Sequence, residues 1–171
     1  MKKKKYLLLA IVLVLMSFTG YLVSKIIITK QQNAIVKSTK QTLPNFTFYN
    51  LDSLATNSTF IKKGKSVCIF YFNAECEYCQ NEARDISKNI ALFKDTQIVM
   101  VSFNTIADIK KFALEYGLNY PNIVFLQDPK FQFSSWFGKS SIPSVFIYNA
   151  QHRLVKEYQG ETKIEAIIKY L

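Results

Sequence analysis

Residues 73–82 read NAECEYCQNE and follow directly on the apolar run SVCIFYF. Cys76 and Cys79 stand three positions apart, a spacing at which two sulfurs can close a small disulfide loop and open it again. At a strand-to-helix turn the first helical N–H groups are unpaired and carry the positive end of the helix dipole. That setting favours the thiolate, which is the nucleophilic form of a cysteine. One sulfur would attack and the other would resolve, so the chemistry suggested is thiol–disulfide exchange. Two other uses of the pair compete. A zinc site needs a second pair of ligands, and only Cys68 and His152 remain, neither of them paired. A structural disulfide suits an exported protein, but a loop this short constrains the unfolded chain little.

The elements that must position the pair are legible from patterning. Residues 67–72, VCIFYF, are apolar throughout, as in a strand buried on both faces. Residues 79–94 read as a helix starting at Cys79, with Ala83, Ile86, Ile90 and Phe93 on one face. Residues 97–103 form a second buried strand. Residues 105–117 form a helix closed by Gly117. Residues 122–127 form a strand, followed by an Asp128–Pro129 turn and a short helix over 130–137. PSVFIYN and RLVKEYQ are adjacent strands joined by AQH, and a last helix carries Thr162 and Glu165 as a capping box. Upstream, a short strand is expected at 46–49, a turn near Asp52 and a loop ending at Gly64. Strands alternating with helices give an α/β sheet with parallel pairs and a terminal antiparallel piece.

The net charge of +10 divides unevenly. Residues 1–40 hold 8 Lys and no acid, whereas residues 41–171 hold 14 Lys+Arg against 12 Asp+Glu. The folded part is thus near neutral, and no basic–aromatic pattern suggests nucleic-acid binding. Four Lys precede the apolar run of residues 6–23, broken only by Ser17, Thr19 and Gly20. That length suits a membrane-spanning helix, with the Lys cluster held in the cytoplasm. A cleaved signal peptide is the alternative, although small residues of the cleavage type are poorly placed. The expected organisation is a Lys cluster and signal-anchor over 1–28, a polar tether over 29–42 and one domain over 43–171. The four Lys serve chiefly as topology determinants.

GKSVCIFYFNAECEYCQNE, with SSIPSVFIYN about 60 residues later, resembles thioredoxin-fold proteins. The likeness is to the TlpA/ResA-type membrane-anchored thiol–disulfide oxidoreductases of bacteria and covers residues 43–171. It implies a thioredoxin-like fold, a central mixed sheet flanked by helices and preceded by a transmembrane helix. It places the domain outside the bacterial inner membrane. It implies a redox-active Cys76–Cys79 disulfide with no metal or organic cofactor, protein thiols and disulfides as substrates, and a membrane electron carrier as the source of reducing equivalents. It also implies a cis Ile142–Pro143 peptide beside the pair and Glu82 as candidate proton acceptor. Glu77, Tyr78, Ile142, Pro143 and Trp136 are then expected to face substrate. The chain departs from thioredoxin in having Glu77–Tyr78 between the cysteines, Glu75 where Trp usually stands, and Phe70 where a buried Asp is kept. A peroxidatic cysteine, as in peroxiredoxins, is a third rival reading of Cys76. The Pro and Thr/Ser that accompany such a cysteine are missing, and Asn73 stands three positions before it.

Glu75 and Glu77 set negative charge beside Cys76, and no cation stands between the cysteines. A strong oxidant needs a very stable thiolate, so a reducing or moderately poised couple is expected. Cys68 reads as a small buried hydrophobe, Trp136 and Phe137 first as core packing with the substrate surface near Pro143 as the alternative, and His152 as a solvated turn residue.

Overall fold

The computed structural model describes residues 2–171, with side chains at Lys4, Tyr6 and from residue 11 onward. Two units are distinguished, residues 1–36 and 37–171. Helix α1 (Lys2–Thr39) contains a segment, Ile11–Thr39, long and apolar enough to cross a membrane. The stretch expected to be a tether is helical as far as Thr39. The Lys cluster, apart from Lys4, lies outside the described side chains.

The second unit is built on a seven-stranded sheet. Its strands are β1 (Thr47–Tyr49), β2 (Ala55–Asn57), β3 (Ser66–Phe72), β4 (Thr96–Ser102), β5 (Ile123–Gln127), β6 (Ser144–Tyr148) and β7 (Leu154–Gln159). Their spatial order is β2-β1-β5-β4-β3-β6-β7. The centre β3–β4–β5 is parallel, and β6 and β7 add antiparallel strands beyond β3. Strand β2 and a 3-10 turn over Ser58–Phe60 lie where only a loop was expected.

The all-apolar strands are explained by two cores, one on each face of the sheet. Cys68, Phe70 and Phe72 of β3 point into the first core. There they meet α2 (Glu77–Lys88), α3 (Ile106–Glu115) and α5 (Ile164–Ile168). Val67, Ile69 and Tyr71 point into the second, with β1 and α4 (Phe133–Phe137). Alternation across the pleat thus buries every position of β3. The second core is largely aromatic: Tyr71 stacks on Phe133 at 4.0 Å and Phe133 on Phe137 at 4.4 Å. Moving from β3 to β4 to β5, the chain crosses over one face; α4 then brings it back over the other to reach β6.

Several boundaries differ from expectation for local reasons. The helix read as 79–94 begins at Glu77 and ends at Lys88. Asn89 closes it with both its backbone N–H and its side-chain amide on Asp85 O, and Ile90–Phe93 tightens into a 3-10 turn. Cys79 therefore lies inside the first turn and is not its start. The helix expected over 130–137 is shorter, because Asp128 accepts the N–H of Gln132 at 2.9 Å and of Phe133 at 2.8 Å and so sets its beginning. Gly117 terminates α3 at φ +63, with the Leu118 N–H on Ala113 O at 2.9 Å and its own on Leu114 O at 3.2 Å. The capping box at Thr162–Glu165 does not form: α5 starts after Lys163 without a side-chain cap, and the Thr162 hydroxyl bonds Gly160 O.

Candidate active site

β3 delivers the chain to the C-terminal end of the parallel strands, where open α/β sheets carry their sites. There residues 73–76 make a tight turn. Asn73 organises it: its side-chain oxygen accepts the Glu75 N–H at 2.9 Å, and its carbonyl accepts the Cys76 N–H at 3.1 Å. Cys76 is the N-cap of α2, in extended conformation (φ −82, ψ 120), with no side-chain cap bond. Its carbonyl accepts the first helical N–H, from Gln80, at 3.0 Å. Its sulfur is therefore not used to satisfy the helix, and Cys76 is partly exposed while Cys79 is 2 % exposed.

Cys79 lies on the buried face of α2 with Glu82, Ala83 and Ile86. Burial pushes its thiol well above the ordinary range. The neighbouring Cys76 and the Glu82 charge add to the rise, and the Asn73 N–H, 3.5 Å from Cys79 Sγ, opposes it. Neither cysteine is in a disulfide. Glu82 is 4 % exposed, and its Oε1 accepts the Thr162 backbone N–H at 2.7 Å. Its carboxyl is pushed up to about 8, chiefly by burial and further by Glu161 and Asp85, against the Thr162 hydrogen bond. A cysteine and a carboxyl that both hold their protons tightly thus sit side by side, one helical turn apart.

The second half of the site comes from the loop before β6. The register Tyr71↔Ser144 sets Pro143 opposite the end of β3, where the cysteine turn begins. Pro143 is buried and its peptide with Ile142 is cis. The loop is held from β7: the Ser141 N–H reaches Gln159 Oε1 at 2.6 Å, and Gly160, at φ +85, donates to Pro143 O at 2.8 Å. The Ile142 backbone has no hydrogen-bond partner among the described residues. Ile142 packs into both cores, and Cys76 packs into the first.

The remaining expected site residues fare differently. Glu77 and Tyr78 are exposed on the first turn of α2, Tyr78 at 58 %. Trp136 is half-buried and packs against the aromatic core on the sheet face opposite α2, a core that Ile142 also joins. Cys68 is fully buried and its thiol is pushed far up by desolvation. His152 is half-buried rather than solvated, at φ +56, with its carbonyl accepting the Leu43 N–H. No group of three metal-ligating side chains comes together among the described residues.

A support for the turn was missed at the sequence level. Asn104, just past β4, accepts the Ala74 N–H at 2.9 Å and the Ser102 hydroxyl at 2.7 Å through its side-chain oxygen. Gln127 holds the Asn104 carbonyl at 2.9 Å, and the Gln80 amide takes Ala74 O at 3.0 Å. The available signal was position: Asn104 is a polar residue at the C-terminal end of a buried parallel strand. Beside this turn a cleft of about 320 Å³ is lined by Ala74, Glu75, Gln80, Asp108, Lys111 and Glu115, among others.

Residues 39–158 match the AhpC/TSA family. The chain is similar to thiol-disulfide oxidoreductase ResA of Bacillus subtilis, at 26% identity over 98% of this chain and 92% of that one. In structure it is similar to a secreted Mycobacterium tuberculosis disulfide oxidoreductase homologous to E. coli DsbE. The TM-score there is 0.63, with 17% identity over 74% of this chain and 96% of that one. MTB DsbF gives a TM-score of 0.65 at 16% identity, covering 77% and 94%. With that match spanning most of the folded unit, and with a thiol pair at a helix start facing a proline loop, the chain belongs to the AhpC/TSA family, as a thioredoxin-fold protein of the thiol-disulfide oxidoreductase type.

Proposed function

We propose that the chain exchanges disulfides with exported proteins, working in the reducing direction from a membrane anchor. The reading is carried by the asymmetry of the pair: Cys76 is reachable at the helix start, and Cys79 is buried beneath it in contact with it and with Glu82. Cys76 as thiolate attacks a substrate disulfide, forming one S–S bond and releasing one substrate thiol. Cys79 then attacks the Cys76 sulfur, which releases the second substrate thiol and leaves the Cys76–Cys79 disulfide. Two electrons pass to substrate. The proton that Cys79 must lose goes to Glu82 in its ionised form, which builds up as pH rises through about 8.

The unpaired backbone of Ile142, beside Pro143, supports pairing with an extended substrate segment next to the sulfurs. Glu77 and Tyr78 flank that segment on the exposed turn. The direction rests on Glu75 and Glu77: negative charge beside the turn, with no cation between the cysteines, gives a thiolate little of the stabilisation a strong oxidant needs. Anchoring rests on α1, whose span over Ile11–Thr39 suits a single pass, with the domain on the extracytoplasmic side and a membrane electron carrier resupplying it.

Reduction of insulin disulfides tests the exchange. Loss of turnover in both Cys76→Ser and Cys79→Ser is expected, and retention in either refutes the two-cysteine mechanism. Equilibration with glutathione tests direction: a potential near that of the strongest periplasmic oxidants, about −120 mV, would refute it.

A further inference from the structure

The rings most exposed in the folded unit are Phe131, at 64 %, and Tyr78, at 58 %. Both lie at the thiol end of the sheet: Tyr78 on the first turn of α2, and Phe131 just past the end of β5. The backbone at Phe131 suits its side chain badly. A turn starts at Asp128, whose carbonyl accepts the Phe131 N–H at 3.3 Å, and Phe131 leaves it in the left-handed region, at φ +53. A Cβ disfavours that region, and a bulky residue there is an outlier. The turn is fixed from within. Buried Asp128 donates its N–H to Ser102 O at 2.7 Å, and its carboxylate takes the N–H groups of Gln132 and Phe133. The fold thus holds a strained backbone under a ring that points out of the core.

The ring is not isolated. It lies against Phe103 at 5.2 Å between centroids, and Phe103 meets the edge of Tyr71 at 6.3 Å. These contacts reach the thiol site. Ser102 pairs with Phe72 in the parallel register, so Phe103 stands beside Asn73, where the cysteine turn begins, one strand spacing of about 4.8 Å away. Asn104, the next residue, accepts the Ala74 N–H. Tyr71 pairs with Ser144, the residue after Pro143. Half-buried Phe103 and Ile142 both join the second core. An apolar surface therefore continues from the proline loop, past the start of the cysteine turn, to Phe131.

We propose that Phe131, backed by Phe103, docks an apolar side chain of the protein whose disulfide is being reduced, a few residues from the attacked cysteine. This rests on the exchange reading of Cys76 and gives its substrate class: a disulfide with an aromatic or large aliphatic side chain accessible beside it, as in an unfolded or partly folded exported chain. The two rings offer an incoming aromatic the offset and edge-on contacts that rings favour. A small hydrophilic disulfide has nothing to set against them. A second copy of the chain seated on these rings would cover the turn that presents Cys76 and block the exchange.

The test compares the full chain, reduced and in detergent micelles, with its Phe131→Gly and Phe131→Tyr variants on insulin and on bis(2-hydroxyethyl) disulfide. Phe131→Gly removes the ring and relieves the backbone. It should lower kcat/KM for insulin several-fold, through KM, and leave the small disulfide unchanged. It should also unfold at the same denaturant midpoint as the wild type or a higher one. Phe131→Tyr should keep the insulin rate. An unchanged insulin rate in Phe131→Gly overturns the proposal, as does an equal fall on both substrates, which would put the effect on the thiols themselves. A lowered midpoint overturns it too, by making the ring part of the packing. Sedimentation of the same samples tests the other occupant: a wild-type dimer that Phe131→Gly dissolves assigns the rings to a second copy and overturns the proposal. A wild type inert towards both disulfides sinks the exchange reading and this proposal with it, whereas an active wild type matched by Phe131→Gly sinks the proposal alone.

Discussion

Replacing Glu82 with Gln should flatten the pH dependence of stability between pH 5 and 8. Gln keeps the oxygen that accepts the Thr162 N–H, so the substitution removes the ionisation and little else. The Glu82 carboxyl rises from an ordinary 4.5 to about 8 in the fold, chiefly by burial. Its folded value lies above its unfolded one, so its contribution is fully present below about pH 4.5. It is lost as pH climbs towards and through about 8, because the unfolded chain gives up this proton and the folded chain retains it. At about 1.4 kcal/mol per unit, the whole rise corresponds to about 5 kcal/mol, of which about 2–3 kcal/mol falls between pH 5 and 7. The assay is denaturant unfolding of the reduced protein in nanodiscs, followed through the single Trp, Trp136, which is half-buried in the second core. The wild type minus Glu82→Gln difference should grow by that amount in favour of the variant as pH rises. Parallel profiles would refute the assignment of Glu82 as a buried carboxyl that holds its proton.

Alkylation under native conditions should modify Cys76 well before Cys79, because only Cys76 reaches solvent; equal rates measured by mass spectrometry would contradict the burial of Cys79. Asn104→Ala should cost about 1–3 kcal/mol by stranding the Ala74 N–H and should slow insulin reduction. Asn104→Asp, which keeps the acceptor, should recover most of that rate. Phe133→Ala should cost about 3–5 kcal/mol, read as a lower unfolding midpoint, because its ring stacks on both Tyr71 and Phe137.

Much of the architecture was written in local pattern. β3 was readable as doubly buried because each of its faces feeds a separate core, leaving no polar position to blur the run. Gly117 announced the end of α3 because left-handed geometry there suits glycine. The cysteine pair was legible from spacing, but its asymmetry was not, since that comes from the helix starting at Glu77, which caps on Cys76 and turns Cys79 inward. The environment of Glu82 was equally hidden. Its donor is a backbone N–H eighty residues away, a group that carries no side-chain signature. Asn104 and Gln127 support the turn from the ends of neighbouring strands, a juxtaposition created by the parallel register of β4 and β5. Thr162 misled for a related reason: its hydroxyl bonds Gly160 O and its N–H is taken by Glu82, so neither group caps α5.

The division of labour between the two sulfurs is best tested by trapping. A Cys79→Ser protein mixed with a disulfide-bonded peptide should accumulate a mixed disulfide on Cys76, identified by mass spectrometry, while the wild type passes through it and ends as the Cys76–Cys79 disulfide. An adduct on Cys79 in a Cys76→Ser protein at a comparable rate, or no adduct on Cys76 at all, would contradict the assignment of Cys76 as the attacking thiol.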